Sequence, residues 1–468
     1  MRFSAAGTAD RVLPASLATR ARPHLGRLDA LLFAPDERGA ASRMSLLAFA
    51  IRILSALIGF VSQVLLARWM GGFEYGIFVL VWLVMVMAGS LSCLGFHTSV
   101  VRFVPEYREK GMLPELRGIL WGSRVFTLLA STALAALGIL GLWLARGLVE
   151  PYYLAPFILG LVAMPMIALS DTLQGISRAR SWGIAALAPT YLIRPVLILA
   201  FMVVLIAADF AADAITATLA AVLATYVTTL GHLVVVSGRI GRETARGPSR
   251  FLVRHWLAVS LPIFLVESFF FLLTNADVLM VGVYMKPDDV GVYFATVKVL
   301  ALVHFVYFAV KAGVAQRYAQ FAHAEPHRLA QFARETVSWT FWPSLLMAVI
   351  VLALGEPLLM LFGPGFEAGF WLLVPLLSGV VLRAAIGPAE SLLTMSGHQN
   401  ACALVFALTL VFNITLCTLL IPRFGLWGAA SATALSILFE ATLLGLTVWH
   451  KHGFVMFILA PQPRAEAP

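Results

Sequence analysis

The chain has 468 residues, of which 60% are hydrophobic and only 12% charged, and it carries a formal net charge of +9. With a mean hydropathy of +0.90, it holds more apolar side chain than a globular core of this length can hide. That excludes a soluble domain and leaves a protein that crosses a membrane many times. The three cysteines, Cys93, Cys402 and Cys417, all fall in apolar segments, so no disulfide framework is expected.

Residues 1–43 are rich in Arg, Ala and Pro and have no apolar core segment, which predicts a basic cytoplasmic tail rather than a cleaved leader. Within it, His24 to Phe33 reads either as a short amphipathic surface helix or as a disordered stretch. From Met44 to Trp449, apolar runs of about 20 residues recur, each long enough to span a bilayer. They predict an all-α protein of twelve transmembrane helices at 44–67, 75–101, 119–144, 152–174, 184–207, 213–236, 257–284, 290–311, 337–361, 366–396, 401–421 and 424–449. Pro165, Pro189, Pro195, Pro262, Pro343, Pro375 and Pro388 lie inside these spans and predict kinks.

Sorted alternately, the loops separate by charge. One set carries the arginines of the tail, then Arg102, Arg108, Lys110 and Arg117, Arg178 and Arg180, the run Arg239 to Arg254, Lys311 to Arg334, and Lys451; the other holds only Arg68, Arg146, Lys286 and Arg423. By the positive-inside rule, both termini are expected in the cytoplasm and the helix count is even. The net positive charge is then a matter of topology and anionic headgroups, and it gives no ground for nucleic acid as a partner.

The basic loop 237–256 divides the chain into residues 44–236 and 257–450, with 451–468 as a second tail. The halves repeat. Ala67 to Phe78 set against Gly282 to Tyr293 matches Met70 with Met285, Gly76 with Gly291 and Phe78 with Tyr293, and the same register places Arg52 on Glu267. Two six-helix lobes around a central cavity are the expected architecture.

Arg52, Arg194, Glu267, Asp277, Lys298, Arg383 and Glu390 all lie inside apolar segments. A charge at a helix centre costs roughly 2.5–3.5 kcal/mol on insertion scales, so such a set is expected to face a wet cavity or one another. The arginines suit a diphosphate, because a planar guanidinium can donate to phosphate oxygens in a bidentate way and keeps its charge when poorly hydrated. Arg383 and Glu390, seven residues apart, also fit a static internal pair.

Thr274-Asn-Ala-Asp-Val-Leu-Met-Val-Gly282 with Val290-Gly-Val-Tyr293, Gly397-His-Gln-Asn400, Asn413-Ile-Thr-Leu and the run Leu420 to Thr433 resemble the corresponding segments of bacterial polysaccharide biosynthesis flippases. These belong to the multidrug/oligosaccharidyl-lipid/polysaccharide (MOP) exporter superfamily. Leu66-Ala-Arg and Tyr75-Gly-Ile-Phe78 resemble the family's first loop. The resemblance spans about residues 44–450. It implies flipping of an undecaprenyl-diphosphate-linked oligosaccharide, a polysaccharide or lipopolysaccharide precursor, across the inner membrane by alternating access.

The implied partners are the lipid-linked glycan, membrane lipids and polysaccharide polymerase machinery, with no cofactor beyond a coupling Na⁺ or H⁺. Substrate binding is expected at Arg52, Arg194, Glu267, Lys298 and Arg383. Asp277, Asn413 and Thr433 occupy positions that resemble the family's ion-coupling site, where the place of a second aspartate is taken by Cys417, which weakens it for a hard cation. The competing reading is a drug or small-cation antiporter of the same superfamily. A membrane enzyme is disfavoured by short outer loops and by the lack of a nucleophile elbow or phosphate-cradling loop.

Overall fold

The structure, a computed structural model, describes residues 37–245, 247–324 and 326–459, with no side-chain description for 37–50, 52, 262, 263, 266, 312, 316, 323, 324, 326 or 327. The amphipathic segment expected at His24 to Phe33 lies outside the described residues. Among those described there is no strand. The helices in the first half are α1 (Glu37–Ser92), α2 (Phe96–Glu109), α3 (Leu113–Leu144), α4 (Pro151–Ala179), α5 (Gly183–Ala188), α6 (Arg194–Ala207) and α7 (Ala214–Glu243). The second half has α8 (Val253–Leu273), α9 (Ala276–Tyr284), α10 (Pro287–Ala324), α11 (Pro326–Met360), α12 (Leu373–Ala384), α13 (Ala389–Met395) and α14 (Gln399–His452).

Two of these helices are far too long for one crossing. A straight helix of 56 residues, the length of α1, would reach about 84 Å, against a hydrocarbon layer of about 30 Å. The chain reverses instead. Gly71 leaves the helical region at φ 77°, ψ 171°, and beyond it the Tyr75 hydroxyl donates to Gln63 Oε1 at 3.0 Å. On a continuous helix those residues would stand about 18 Å apart. The same happens in α14, where Gly425 sits at φ 56°, ψ −135° and the Asn413 amide donates to Ser436 Oγ at 3.1 Å. Both elements are helical hairpins turning on a single glycine, for which a positive φ carries no Cβ penalty.

Nine helices among the described residues are long and apolar enough to cross a membrane, ten if the pair α8–α9, bent by 50°, is one span. The expectation was twelve. The number is lower because the two arms on either side of Gly71, and likewise of Gly425, are counted together as one helix.

Three expected spans are interrupted. The fifth contains a π-helical turn at Pro189–Ile193, just before Pro195, which has no amide hydrogen to donate and favours a local change of pitch. The seventh breaks between Leu273 and Ala276. The tenth begins as a 3-10 turn at Phe366–Leu372 and breaks again between α12 and α13, where Gly387 has φ 58° and backs onto the Val337 backbone. The eighth and ninth outrun their predicted limits, reaching Ala324 and starting at Pro326.

Candidate functional site

The two repeat segments seen in the sequence pack against each other. A Cβ on Gly76 would lie 1.7 Å from the Pro287 carbonyl oxygen, and one on Gly291 would lie 3.0 Å from that of Gly72. In the repeat register Gly76 corresponds to Gly291 and Gly72 to Pro287, so each contact is the pseudo-twofold image of the other. Around this closed end, Tyr75 meets Phe294 with ring centroids 6.3 Å apart and Phe366 at 5.8 Å, while Arg68 Nε donates to the Leu361 carbonyl at 2.6 Å.

Pro287, Gly291, Phe294 and Lys298 recur on α10 at the spacing of one helix face, and the first three touch the N-terminal half. Lys298 continues that face about 10 Å below the Gly291 contact. Its ammonium lies 4.5 Å from the Phe294 ring centroid, which places a cation against the negative face of the ring. Among the described residues, no carboxylate comes within ion-pair distance of it. Arg52 lies on the first arm of α1, some 28 Å from Gly71 by helical rise; its side chain is outside the described set.

The remaining candidates are placed elsewhere. Glu267 joins the halves at the end where the basic loops lie: it accepts from Thr98 Oγ1 at 2.8 Å and lies 3.3 Å from His97 Nε2. Beside it, Ser260 bonds Ser99 at 2.7 Å and Trp256 bonds Tyr107 at 2.9 Å. Arg194 is buried inside the N-terminal half, between α4 and α6, and donates to Ser170 Oγ at 2.9 Å. The neighbouring Asp171 accepts from Ser90 at 2.6 Å.

Arg383 is held from several sides. It donates to Glu390 Oε2 at 2.6 Å, to Glu440 Oε1 at 3.1 Å and to the Gly387 carbonyl at 3.0 Å, and it also reaches the Tyr307 hydroxyl at 3.2 Å. Glu390 accepts in addition from Lys311 at 3.0 Å and from the Tyr307 hydroxyl. The Arg383–Glu390 pair suggested by their spacing is therefore present, across the α12–α13 break rather than along one continuous helix. Glu440, Tyr307, Lys311 and Asp171 were not singled out from the sequence. The signal for Glu440 and Asp171 was available, since each is a lone carboxylate inside an apolar span.

This cluster lines a cavity of about 410 Å³ within the C-terminal half. At its other end are Asp277, Asn413 and Thr433. Asp277 Oδ2 accepts from Tyr293 Oη at 2.9 Å and from Thr433 Oγ1 at 3.3 Å, and Oδ1 accepts from the Val278 amide at 2.8 Å. Asn413 turns instead to Ser436, while the Cys417 thiol, 3.8 Å away, donates to its amide oxygen. Asp277 and Thr433 are thus brought into contact, with Asn413 on the same cavity wall. Among the described residues, no three His, Cys, Asp or Glu side chains are grouped to hold a metal ion.

The same arrangement of helices is seen in solved membrane transporters. An inward-facing multidrug resistance MATE family transporter of the MOP superfamily superposes with a TM-score of 0.69 at 13% identity, covering 85% of this chain and 94% of that one. The lipid II flippase MurJ in an inward closed conformation gives 0.68 at 15% identity, with 86% and 87% covered. The fold is therefore that of the MOP superfamily.

The family model for polysaccharide biosynthesis proteins matches residues 43–315, more than half of the chain, and the MatE model matches residues 262–419. The chain belongs to the polysaccharide biosynthesis protein family. A curated relative, the probable low-salt glycan biosynthesis flippase Agl15 of Haloferax volcanii, is 25% identical over 187 residues. That alignment spans 39% of this chain and 38% of the relative.

Proposed function

We propose that this multi-pass membrane protein flips an undecaprenyl-diphosphate-linked oligosaccharide across the inner membrane by alternating access, with its basic loops and both termini in the cytoplasm. Family membership supports the reading, and one observation carries it: Lys298, with no carboxylate partner among the described residues, presents a cation to the junction of the halves, at membrane depth and beneath the closed contact of Gly72, Gly76, Pro287 and Gly291. An uncompensated ammonium there is costly unless an anion visits it. A lipid diphosphate supplies such an anion, and Arg52 on α1 is the second cation we assign to it. Arg194 and Arg383, engaged by Ser170 and by Glu390 and Glu440, hold their own halves together in this reading. Glu267 latches α8 to α2.

A drug antiporter is the second reading, favoured by the MatE match and by the acidic, aromatic cavity of Asp277, Glu390, Glu440, Phe270, Phe305 and Phe406. Depletion separates the two. A lipid-linked glycan intermediate accumulating on the cytoplasmic face supports flipping, and a gain in drug sensitivity without such accumulation overturns it. In complementation, Lys298→Gln and Arg52→Ala are expected to lose flipping at normal protein level, and Arg52→Lys to rescue only in part. Reporter fusions at Gly238 and Lys451 should mark the cytoplasm and those at Asp209 and Gly363 the outside.

A further inference from the structure

The C-terminal half contains a group of charges that holding a diphosphate does not require. Two carboxylates, Glu390 on α13 and Glu440 on α14, share the one guanidinium of Arg383 on α12, and they are not held equally. Glu390 accepts from Arg383, Lys311 and Tyr307. Glu440 accepts from Arg383 Nε alone, at 3.1 Å. Both line the same cavity of about 410 Å³, room enough for roughly fourteen water molecules at about 30 Å³ each. A second hollow lined by Lys311, Glu390, Ser391 and Thr394 adjoins it towards the end of the lobe where the basic loops lie.

Within the membrane, an ionised carboxylate survives only through its donors. Of the two, Glu440 has the fewest, so it is the one that gains most from becoming neutral. The other titratable groups facing the cavity are Asp277 from α9, His304, Tyr307 and Lys311 from α10, Arg383 from α12 and Glu390 from α13. None of them except Arg383 bonds Glu440.

We propose that Glu440 is a proton-binding site, loaded from the basic-loop face of the lobe, and that its protonation releases α14 from Arg383. A proton from cavity water forms an O–H bond on the Glu440 carboxylate, and the charge-assisted Nε–H bond from Arg383 is lost. Arg383 keeps its bonds to Glu390 and to the Gly387 carbonyl across the α12–α13 break. The second hairpin is then free to move relative to the broken helix, and loss of the proton clamps them together again. This site is separate from Asp277, which is bonded by Tyr293 and Thr433 instead.

The test uses the full chain in liposomes without any glycan, with the carboxylic-acid carbonyl stretch followed by difference infrared spectroscopy as the pH is stepped down; histidine and tyrosine are silent in this band. The expected result is an acid band lost in Glu440→Gln, retained at a shifted frequency in Glu440→Asp, and kept in Asp277→Asn. In Glu390→Gln, where Arg383 has no competing carboxylate, half-protonation should need about tenfold more acid, one pKa unit. A band that persists in Glu440→Gln, or that disappears only in Asp277→Asn, overturns the proposal. Because no glycan is present, either outcome leaves the flippase reading to its own test.

Discussion

In the N-terminal half, most buried polar side chains are hydroxyls, and several return a bond to their own helix: Thr172 to the Ala168 carbonyl, Thr218 to Ala214, Thr225 to Ala221 and Ser131 to Thr127. Its two buried cations, Arg180 and Arg194, donate to the hydroxyls of Thr244 and Ser170, and Arg180 also lies 3.5 Å from Glu243. In the C-terminal half, Asp277 and Glu390 are buried, and the partly buried Arg383, Glu440 and Lys311 join them around a cavity. Repeated sequence has thus been kept at the surface where the halves meet, while their interiors have diverged. Hydroxyls allow close helix packing at little cost. Charges around a cavity invite water.

The largest effect should come from Arg383→Ala. It leaves Glu390 and Glu440 buried without their main partner, a loss of about 3–5 kcal/mol, seen as a lower thermal midpoint of the detergent-solubilised protein. Arg194→Ala removes a bond to one hydroxyl and is expected to cost about 1–3 kcal/mol. Equal losses from the two would erase the contrast between the halves.

Next is Gly76→Ala. A methyl group placed 1.7 Å from the Pro287 carbonyl must push the halves apart, at about 1–3 kcal/mol. Flipping should fall while the fold inside each half survives, as judged by complementation beside protein level.

Asp277→Asn should abolish any Na⁺ dependence of transport with the protein still present in the membrane; Na⁺ dependence that persists would remove Asp277 from coupling. The smallest effect is expected for Ser177→Ala, which loses one bond to His232 at 3.2 Å. A decrease of about 0.5–1.5 kcal/mol in stability with unchanged transport would fit a packed N-terminal interior.

Hydropathy alone made the all-helical membrane fold legible, because a bilayer admits few ways to satisfy a backbone. The repeat was legible too, down to Gly76 and Gly291, since close backbone approach leaves glycine as a visible trace. Partnership was harder to read. Arg52, Arg194, Lys298 and Arg383 look alike as cations in apolar runs, yet Arg383 meets two carboxylates, Arg194 a serine, and Lys298 a phenyl face. Those differences depend on which helices are neighbours, and spacing along one helix does not report that. Glu440 shows the gap most clearly, because its partner lies 57 residues away.

The two single-glycine turns also bear on how the protein is made. At Gly71 and Gly425 no tether separates one arm from the next, and one residue spans at most about 3.6 Å. As the ribosome delivers either hairpin, the second arm is therefore side by side with the first from the moment it emerges. These arms have to enter the bilayer as paired units, and they leave almost nothing outside for a protease, an antibody or a glycosyltransferase to reach.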